Sequence, residues 1–145
     1  MDAVNYIYGA KLQADPDGGF IVSFPDVPEA ITGAASYDEA LAMAEDALAV
    51  ALLARLEDGA PVPRPRASGG GLVPVAVPAA TAAKLALITL WRESGLSKSA
   101  LARRLKVDEK AVRRLLDVNH NTSLSRLEQA IRALGGRLII STRAA

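Results

Sequence analysis

The sequence predicts an α+β fold: an antiparallel sheet with one packed helix, then an all-α domain that ends in a short strand. Near the N-terminus, apolar and polar residues alternate with a period of two, which is typical of strands. A capping box then precedes a run of apolar residues at helical spacing. From Pro78 onward the pattern turns helical. Strands followed by helices in this order favour the α+β class.

The first strands are predicted to form a hairpin. Residues 4–12 alternate as a strand, and residues 20–24 form a second apolar run. Between them, residues 15–19 have the sequence Asp-Pro-Asp-Gly-Gly, in which proline presets φ and glycine permits a positive φ. A short third strand is predicted at residues 29–32, ended by Gly33.

One helix and one further strand complete the predicted N-terminal domain, residues 1–77. Ser36 and Glu39 form the capping box, and Gly59 ends the helix. Residues 59–71 are rich in proline and glycine and indicate a loop or linker. Residues 72–77 are strand-like, and Pro74 would place them at a sheet edge or a bulge. They can return to the sheet as a fourth strand.

Four helices are predicted in the C-terminal domain, residues 78–145. The first runs from about residue 78 to 93 and ends at Gly95. Ser97, Asp108 and Ser123 are the N-caps of the other three. Gly135 ends the last helix, and residues 137–141 form a final short strand.

Charge is strongly segregated along the chain. Residues 1–70 hold 4 basic and 11 acidic side chains, a net charge of −7, whereas residues 71–145 hold 13 and 5, a net charge of +8. The basic half should favour a polyanion and the acidic half a basic protein. The chain has no cysteine, which fits a cytoplasmic location, and we expect neither a signal peptide nor a membrane span.

Residues 97–117 have the layout of a helix-turn-helix: a short capped helix, the turn Lys106-Val107, and a second capped helix. On a helical wheel, the second helix has one apolar side and one side carrying Lys110, Arg113 and Arg114. Such a helix fits a DNA major groove, although a cationic stripe can also be only a solvated face.

Roles for individual side chains follow from this placement. Arg113 or Arg114 could contact guanine with two hydrogen bonds, and Lys98 and Lys106 are better placed for phosphates. Residues 120–122 would contact the DNA backbone or only shape the turn. The predicted DNA-binding residues are Ser97, Lys98, Ser99, Lys106, Glu109, Lys110, Arg113, Arg114, His120, Asn121 and Thr122.

Two stretches of sequence resemble known families. Residues 96–107, Leu-Ser-Lys-Ser-Ala-Leu-Ala-Arg-Arg-Leu-Lys-Val, resemble the first half of the phage-repressor-like helix-turn-helix. Residues 15–28, Asp-Pro-Asp-Gly-Gly-Phe-Ile-Val-Ser-Phe-Pro-Asp-Val-Pro, resemble the signature of HicB antitoxins, and residues 32–40 continue it. The resemblance covers nearly the whole chain and is to the HicB subtype that carries a helix-turn-helix.

The HicB resemblance implies a fold, a partner and a function. It implies an N-terminal domain like a truncated ribonuclease H without its activity. That domain would bind HicA, a small basic toxin that cleaves mRNA, and the antitoxin would repress its own operon. The toxin-binding residues expected from the resemblance are Asp15, Asp17, Phe20, Phe24, Asp26 and Pro28.

The final strand suggests how two copies could associate. A free apolar strand at a chain end is an aggregation risk unless it is paired. Pairing with its twin across a two-fold axis would bury it and bring two recognition helices side by side. Leu138, Ile139 and Ile140 are therefore the predicted dimerisation residues of a homodimer or higher homo-oligomer.

No catalytic, metal or cofactor site is predicted. Asp15 and Asp17 suit a turn, and Asp26 adds no clear ligand spacing. His120 is the only histidine and has no evident partner for zinc or for a catalytic triad. Two alternatives to the antitoxin remain open at this point: a stand-alone transcriptional regulator with a ligand-sensing N-terminal domain, and a nuclease, which the missing carboxylate cluster disfavours.

Overall fold

The computed structural model describes residues 3–144, and the chain forms two compact units that divide between Ala82 and Ala83. The elements are β1 (Ile7–Ala14), β2 (Phe20–Ser23), β3 (Ile31–Ala34), α1 (Tyr37–Glu57), β4 (Val73–Ala76), α2 (Ala79–Ser94), α3 (Lys98–Leu105), α4 (Glu109–Leu115) and α5 (Leu124–Ala133). The predicted α+β class is confirmed: an antiparallel sheet with a packed helix precedes a mostly helical part. Among the described residues, no helix is long and apolar enough to cross a membrane.

The first unit contains a four-stranded antiparallel sheet in the order β3-β2-β1-β4. The β1–β2 hairpin closes as the sequence predicts, because the Asp15 carbonyl accepts a hydrogen bond from the Gly18 amide at 2.9 Å. Gly18 and Gly19 both have positive φ there. β4 returns to pair with β1 and becomes an edge strand, where Pro74 costs no ladder hydrogen bond to a further strand.

The third strand lies two residues later than predicted. Residues 29 and 30 belong instead to a turn, in which the Ala30 amide donates to the Val27 carbonyl at 2.9 Å. Gly33 lies inside β3, opposite Ile21, and does not end the strand. Its lack of a side chain is required by close packing, since a Cβ at this position would lie 2.9 Å from the Phe20 carbonyl oxygen.

α1 packs one face on the sheet. The Ser36 hydroxyl caps its first turn by accepting a hydrogen bond from the Glu39 amide at 3.2 Å, as the capping box predicts. Small and aliphatic side chains four residues apart then face the sheet, and all are buried. They are Ala40, Ala44, Leu48, Leu52 and Leu56. Together with the buried Tyr8, Val22 and Val75 of the sheet, this stripe forms the core of the unit.

The proline- and glycine-rich stretch 59–71 is a loop anchored to the first unit. The buried Tyr8 hydroxyl donates to the Pro63 carbonyl at 2.6 Å. One carboxylate oxygen of Asp26 accepts from the backbone amides of Arg66 and Ala67, at 2.7 and 2.8 Å. Burial raises the pKa of Tyr8 well above its usual value, so this hydroxyl stays a neutral donor.

The second unit is built from helices around two apolar clusters. One joins α2 and α5, with Leu87, Leu127 and Ile131 buried, and the other joins α3 and α4. The predicted N-caps are confirmed: Ser97, Asp108 and Ser123 each accept a hydrogen bond from the amide three residues later.

The predicted C-terminal strand is not formed. Residues 137–144 have no regular secondary structure, because no other strand is present in the described part of this unit to pair with them. Leu138 packs against the α2–α5 cluster, whereas Ile139 and Ile140 are 70% and 63% exposed.

Candidate nucleic-acid and protein interfaces

α3 and α4 pack as a compact pair in the second unit. The chain turns between them at Lys106, the only non-glycine residue with positive φ in the described range. Leu101 and Ala102 of α3 are buried against Val112 of α4. The Ser99 hydroxyl also donates to the Glu109 carboxylate, which ties the first turns of the two helices together. The orientation of α4 on α3 is therefore fixed by both packing and hydrogen bonds.

The outward face of α4 is cationic. Lys110, Arg113 and Arg114 are exposed, whereas Val112 and Leu115 on the opposite side are buried. Within the described chain, none of the three cationic side chains forms an ion pair. Their charge is thus available to an external anion, in the arrangement that the helical wheel predicts.

A buried lysine holds the other end of α4. The Lys84 ammonium group, on α2, donates to the carbonyls of Arg114 and Leu115 at 3.3 and 2.9 Å and to the Thr122 hydroxyl at 2.7 Å. The last carbonyls of a helix lack intrahelical partners and attract a positive charge. Burial lowers the pKa of Lys84, and the nearby negative charge of Asp117 opposes that shift.

Sequence reasoning missed Lys84. Its one visible signal is a lone charged residue inside the apolar run of α2, between Ala83 and Leu85, both of which are buried. A lysine in such a position needs hydrogen-bond acceptors, since charged side chains are rarely fully buried unpaired. The sequence alone gave no indication of which acceptors these are.

The other predicted DNA-binding residues fall into two groups. In the first group, Lys98 is exposed at the start of α3 and Lys106 in the α3–α4 turn. His120 and Asn121 are exposed in the loop after α4. The second group is engaged within the protein. The hydroxyl of Ser97 caps α3, Ser99 and Glu109 bind each other, and Thr122 is buried against Lys84. The Thr122 hydroxyl is thus engaged within the protein, which favours the alternative that residues 120–122 shape the turn.

The predicted toxin-binding residues are dispersed in the first unit. Asp15 and Asp17 lie in the hairpin turn, where the Asp15 carboxylate accepts from the Asp17 amide at 3.0 Å. Phe20 packs edge-on against Tyr37, with ring centres 5.8 Å apart, and Pro28 is exposed.

Two further members of that predicted set make contacts within the fold. Phe24 is 1% exposed, so its ring belongs to the core and is not available to a partner. Asp26 uses one carboxylate oxygen to anchor the loop 59–71. Phe24 is therefore corrected to a core residue, whereas Asp26 is partly exposed and its role in toxin binding stays a prediction.

A groove that sequence reasoning did not identify lies between β3 and α1. Its volume is about 490 Å³, and its lining includes Ile31 and Thr32 of β3 and Met43, Ala47 and Val50 of α1. At this groove the Glu29 carboxylate accepts two hydrogen bonds from the Arg55 guanidinium, at 2.5 and 2.7 Å. These hydrogen bonds lower the pKa of Glu29, so the pair is ionised near neutral pH.

A metal site is not evident in the part of the chain that the structure describes. Over residues 3–144, no group of three or more histidine, cysteine, aspartate or glutamate side chains could hold a metal ion.

Comparisons with known proteins identify the family. Residues 7–86 match the family described as the HicB-like antitoxin of bacterial toxin-antitoxin systems. An antitoxin HicB 2 of Photorhabdus laumondii is 37% identical over 134 residues, which are 92% of this chain and 94% of that protein. The chain belongs to the HicB family of antitoxins. The predicted family is confirmed, and with it the prediction that the protein is not an enzyme.

Further HicB antitoxins extend the similarity along almost the whole chain. Antitoxin HicB of Escherichia coli K12 is 33% identical over 90% of this chain and 95% of its own length. Antitoxin HicB of Pseudomonas fluorescens Pf0-1 is 35% identical over 99% and 98%. The family match at residues 7–86 contains the sheet and α1, whereas the similarity to the Pseudomonas protein also covers the residues of α3 to α5. As a HicB antitoxin, the chain has a toxin as its partner.

Proposed function

We propose that this HicB antitoxin neutralises a HicA-like mRNA-cleaving toxin with its first unit and represses its own operon, in the cytoplasm, with its second. In this proposal α3 and α4 form a helix-turn-helix, and the first unit is a truncated ribonuclease-H-like fold that has no catalytic role. The observation that carries the DNA-binding half is the exposed, unpaired cationic face of α4 opposite an anchored apolar face.

The electrostatics of α4 suit double-stranded DNA. Lys110, Arg113 and Arg114 can enter a major groove while Val112 and Leu115 keep the helix attached to its own domain. Lys98 and Lys106, near the two ends of α3, are placed to contact phosphates, which set register without reading sequence. The net charge of +8 on residues 71–145 adds a general attraction to DNA.

The toxin-binding half is supported by family membership and by charge. Residues 1–70 carry a net charge of −7, which favours a basic partner. We expect the gene beside this one to encode a short basic protein with a single histidine. A neighbouring gene of another kind would favour a stand-alone regulator instead.

Substitutions on α4 test the DNA-binding proposal. Arg113→Ala should weaken binding to the promoter of the operon by about 1–3 kcal/mol and relax the preference at one base pair. Lys98→Ala should weaken binding to all sequences alike. It should also reduce the slope of log binding constant against log salt concentration by about one, as expected for one lost phosphate contact. The measurement is a titration of the purified full chain with promoter DNA and with unrelated DNA at several salt concentrations.

Arg132→Ala provides the matched control, because Arg132 is exposed in the last turn of α5, outside the α3–α4 pair. It should bind the promoter with near wild-type affinity. If Arg113→Ala and Lys98→Ala both bind like the wild type, α4 does not read DNA.

A further inference from the structure

The two edges of the sheet are protected to different degrees. β4 forms one edge and carries Pro74, which cannot donate a hydrogen bond to an added strand. β3 forms the other edge, with the sequence Ile-Thr-Gly-Ala, and has neither proline nor a charged side chain. Exposed sheet edges are normally blunted by such residues, so β3 is open to pairing with an added strand.

An apolar stripe on α1 runs beside this open edge. Met43, Ala47, Val50 and Ala54, spaced four, three and four residues apart, all line the groove with β3. Val50 is 67% exposed and Met43 is 44% exposed, although both lie on a helix whose other face supplies the core. Large apolar side chains grouped in this way mark an interaction surface.

The charge around the groove indicates which kind of partner would bind there. α1 carries five acidic residues and one basic residue, Arg55, which is engaged by Glu29. Asp46 lies in the groove lining itself. A second copy docked through the same face would bring two acidic helices together, whereas a basic partner would meet complementary charge.

We propose that the partner protein docks by adding an extended basic segment along the free edge of β3, as a fifth strand of the sheet. Main-chain hydrogen bonds to β3 would supply affinity, and apolar side chains at alternate positions of the segment would pack on Met43 and Val50. Lysine or arginine residues flanking them would face the acidic residues of α1. The inference rests on the proposed function for the identity of the partner as the toxin.

Binding of the short basic protein encoded beside this gene, measured with the full chain, tests the inference. Val50→Lys places a positive charge in the apolar groove and should weaken binding at least tenfold, because a basic segment is then repelled. Since Val50 is largely exposed, the fold should tolerate the change. Ala42→Lys is the matched control: it adds the same charge at an exposed position of α1 outside the groove lining and should bind within about threefold of the wild type.

Amide hydrogen exchange identifies what covers β3. Exchange of the β3 amides that point away from β2, within residues 31–34, should slow when the partner is added to the wild-type chain and should not depend on the concentration of the chain alone. Protection that rises with concentration of the chain alone would show that a second copy covers the edge, and would overturn the inference.

Two further results are distinguishable. If the wild type binds the basic protein but Val50→Lys binds equally well and β3 stays unprotected, the docking site is wrong while the proposed function stands. If the wild type does not bind the basic protein at all, the proposed function fails and the inference fails with it.

Discussion

At the scale of single residues, Lys84 shows how a buried charge can position a surface helix. Its ammonium group satisfies two carbonyls at the C-terminal end of α4 and the Thr122 hydroxyl, which holds the loop that follows. Local patterns predicted the caps at Ser97, Asp108 and Ser123, because a cap is made within four residues of sequence. Lys84 and Thr122 are 38 residues apart, so their contact depends on the tertiary fold and has no local signature.

Replacing Lys84 should destabilise the second unit. Lys84→Met keeps an unbranched chain of similar length but leaves buried acceptors unsatisfied, and we expect a loss of about 2–4 kcal/mol in the free energy of unfolding. Trp91 is the only tryptophan and lies in this unit, so its fluorescence in a urea titration reports the transition.

Lys98→Met is the control, since Lys98 is exposed and should change stability by less than about 0.5 kcal/mol. Equal unfolding curves for Lys84→Met and Lys98→Met would show that the buried hydrogen bonds of Lys84 do not support α4.

At the scale of elements, periodicity and capping predicted the helices well, whereas strands and loops depended on contacts that are distant in sequence. β3 begins at Ile31, where its pairing with Ser23 of β2 starts, and this register places Gly33 beside the Phe20 carbonyl. The loop 59–71 has linker-like composition, but Tyr8 and Asp26 anchor it. Tyr8 and Asp26 lie 55 and 40 residues before the loop residues that they bind, Pro63 and Arg66, so composition could not separate an anchored loop from a linker.

The C-terminal segment, residues 137–145, is the predicted interface of a homodimer. Ile139 and Ile140 are exposed in the single chain, and pairing with the same segment of a second copy would bury them. Two such DNA-binding units would contact half-sites about one helical turn apart, roughly 34 Å. Deleting residues 137–145 should convert a homodimer of the wild-type chain to a monomer, as measured by light scattering in solution.

Leu124→Asp is the control for this experiment, because Leu124 is an exposed apolar residue of the same unit outside the segment. The Leu124→Asp variant should remain a homodimer. If the deletion variant is still a dimer, the segment is not part of the dimer interface.

At the scale of the whole molecule, the segregation of charge coincides with the division of the fold. Residues 71–82 carry no charged side chain, so the unit that ends at Ala82 has a net charge of −7 and the next has +8. Composition therefore predicted two surfaces of opposite sign. It could not locate the groove beside β3, because that groove requires the sheet order and the packing of α1 together.

We propose that this one chain carries two independent surfaces, one for the toxin and one for DNA. The most direct test is a growth assay in which cells express the neighbouring basic protein together with this chain, and a reporter under the promoter of the operon is read in the same culture. We predict that Arg113→Ala rescues growth but loses repression, and that Val50→Lys keeps repression but loses rescue. If either substitution abolishes both readouts in a folded protein, or neither changes any readout, the chain does not carry two separate surfaces at these residues.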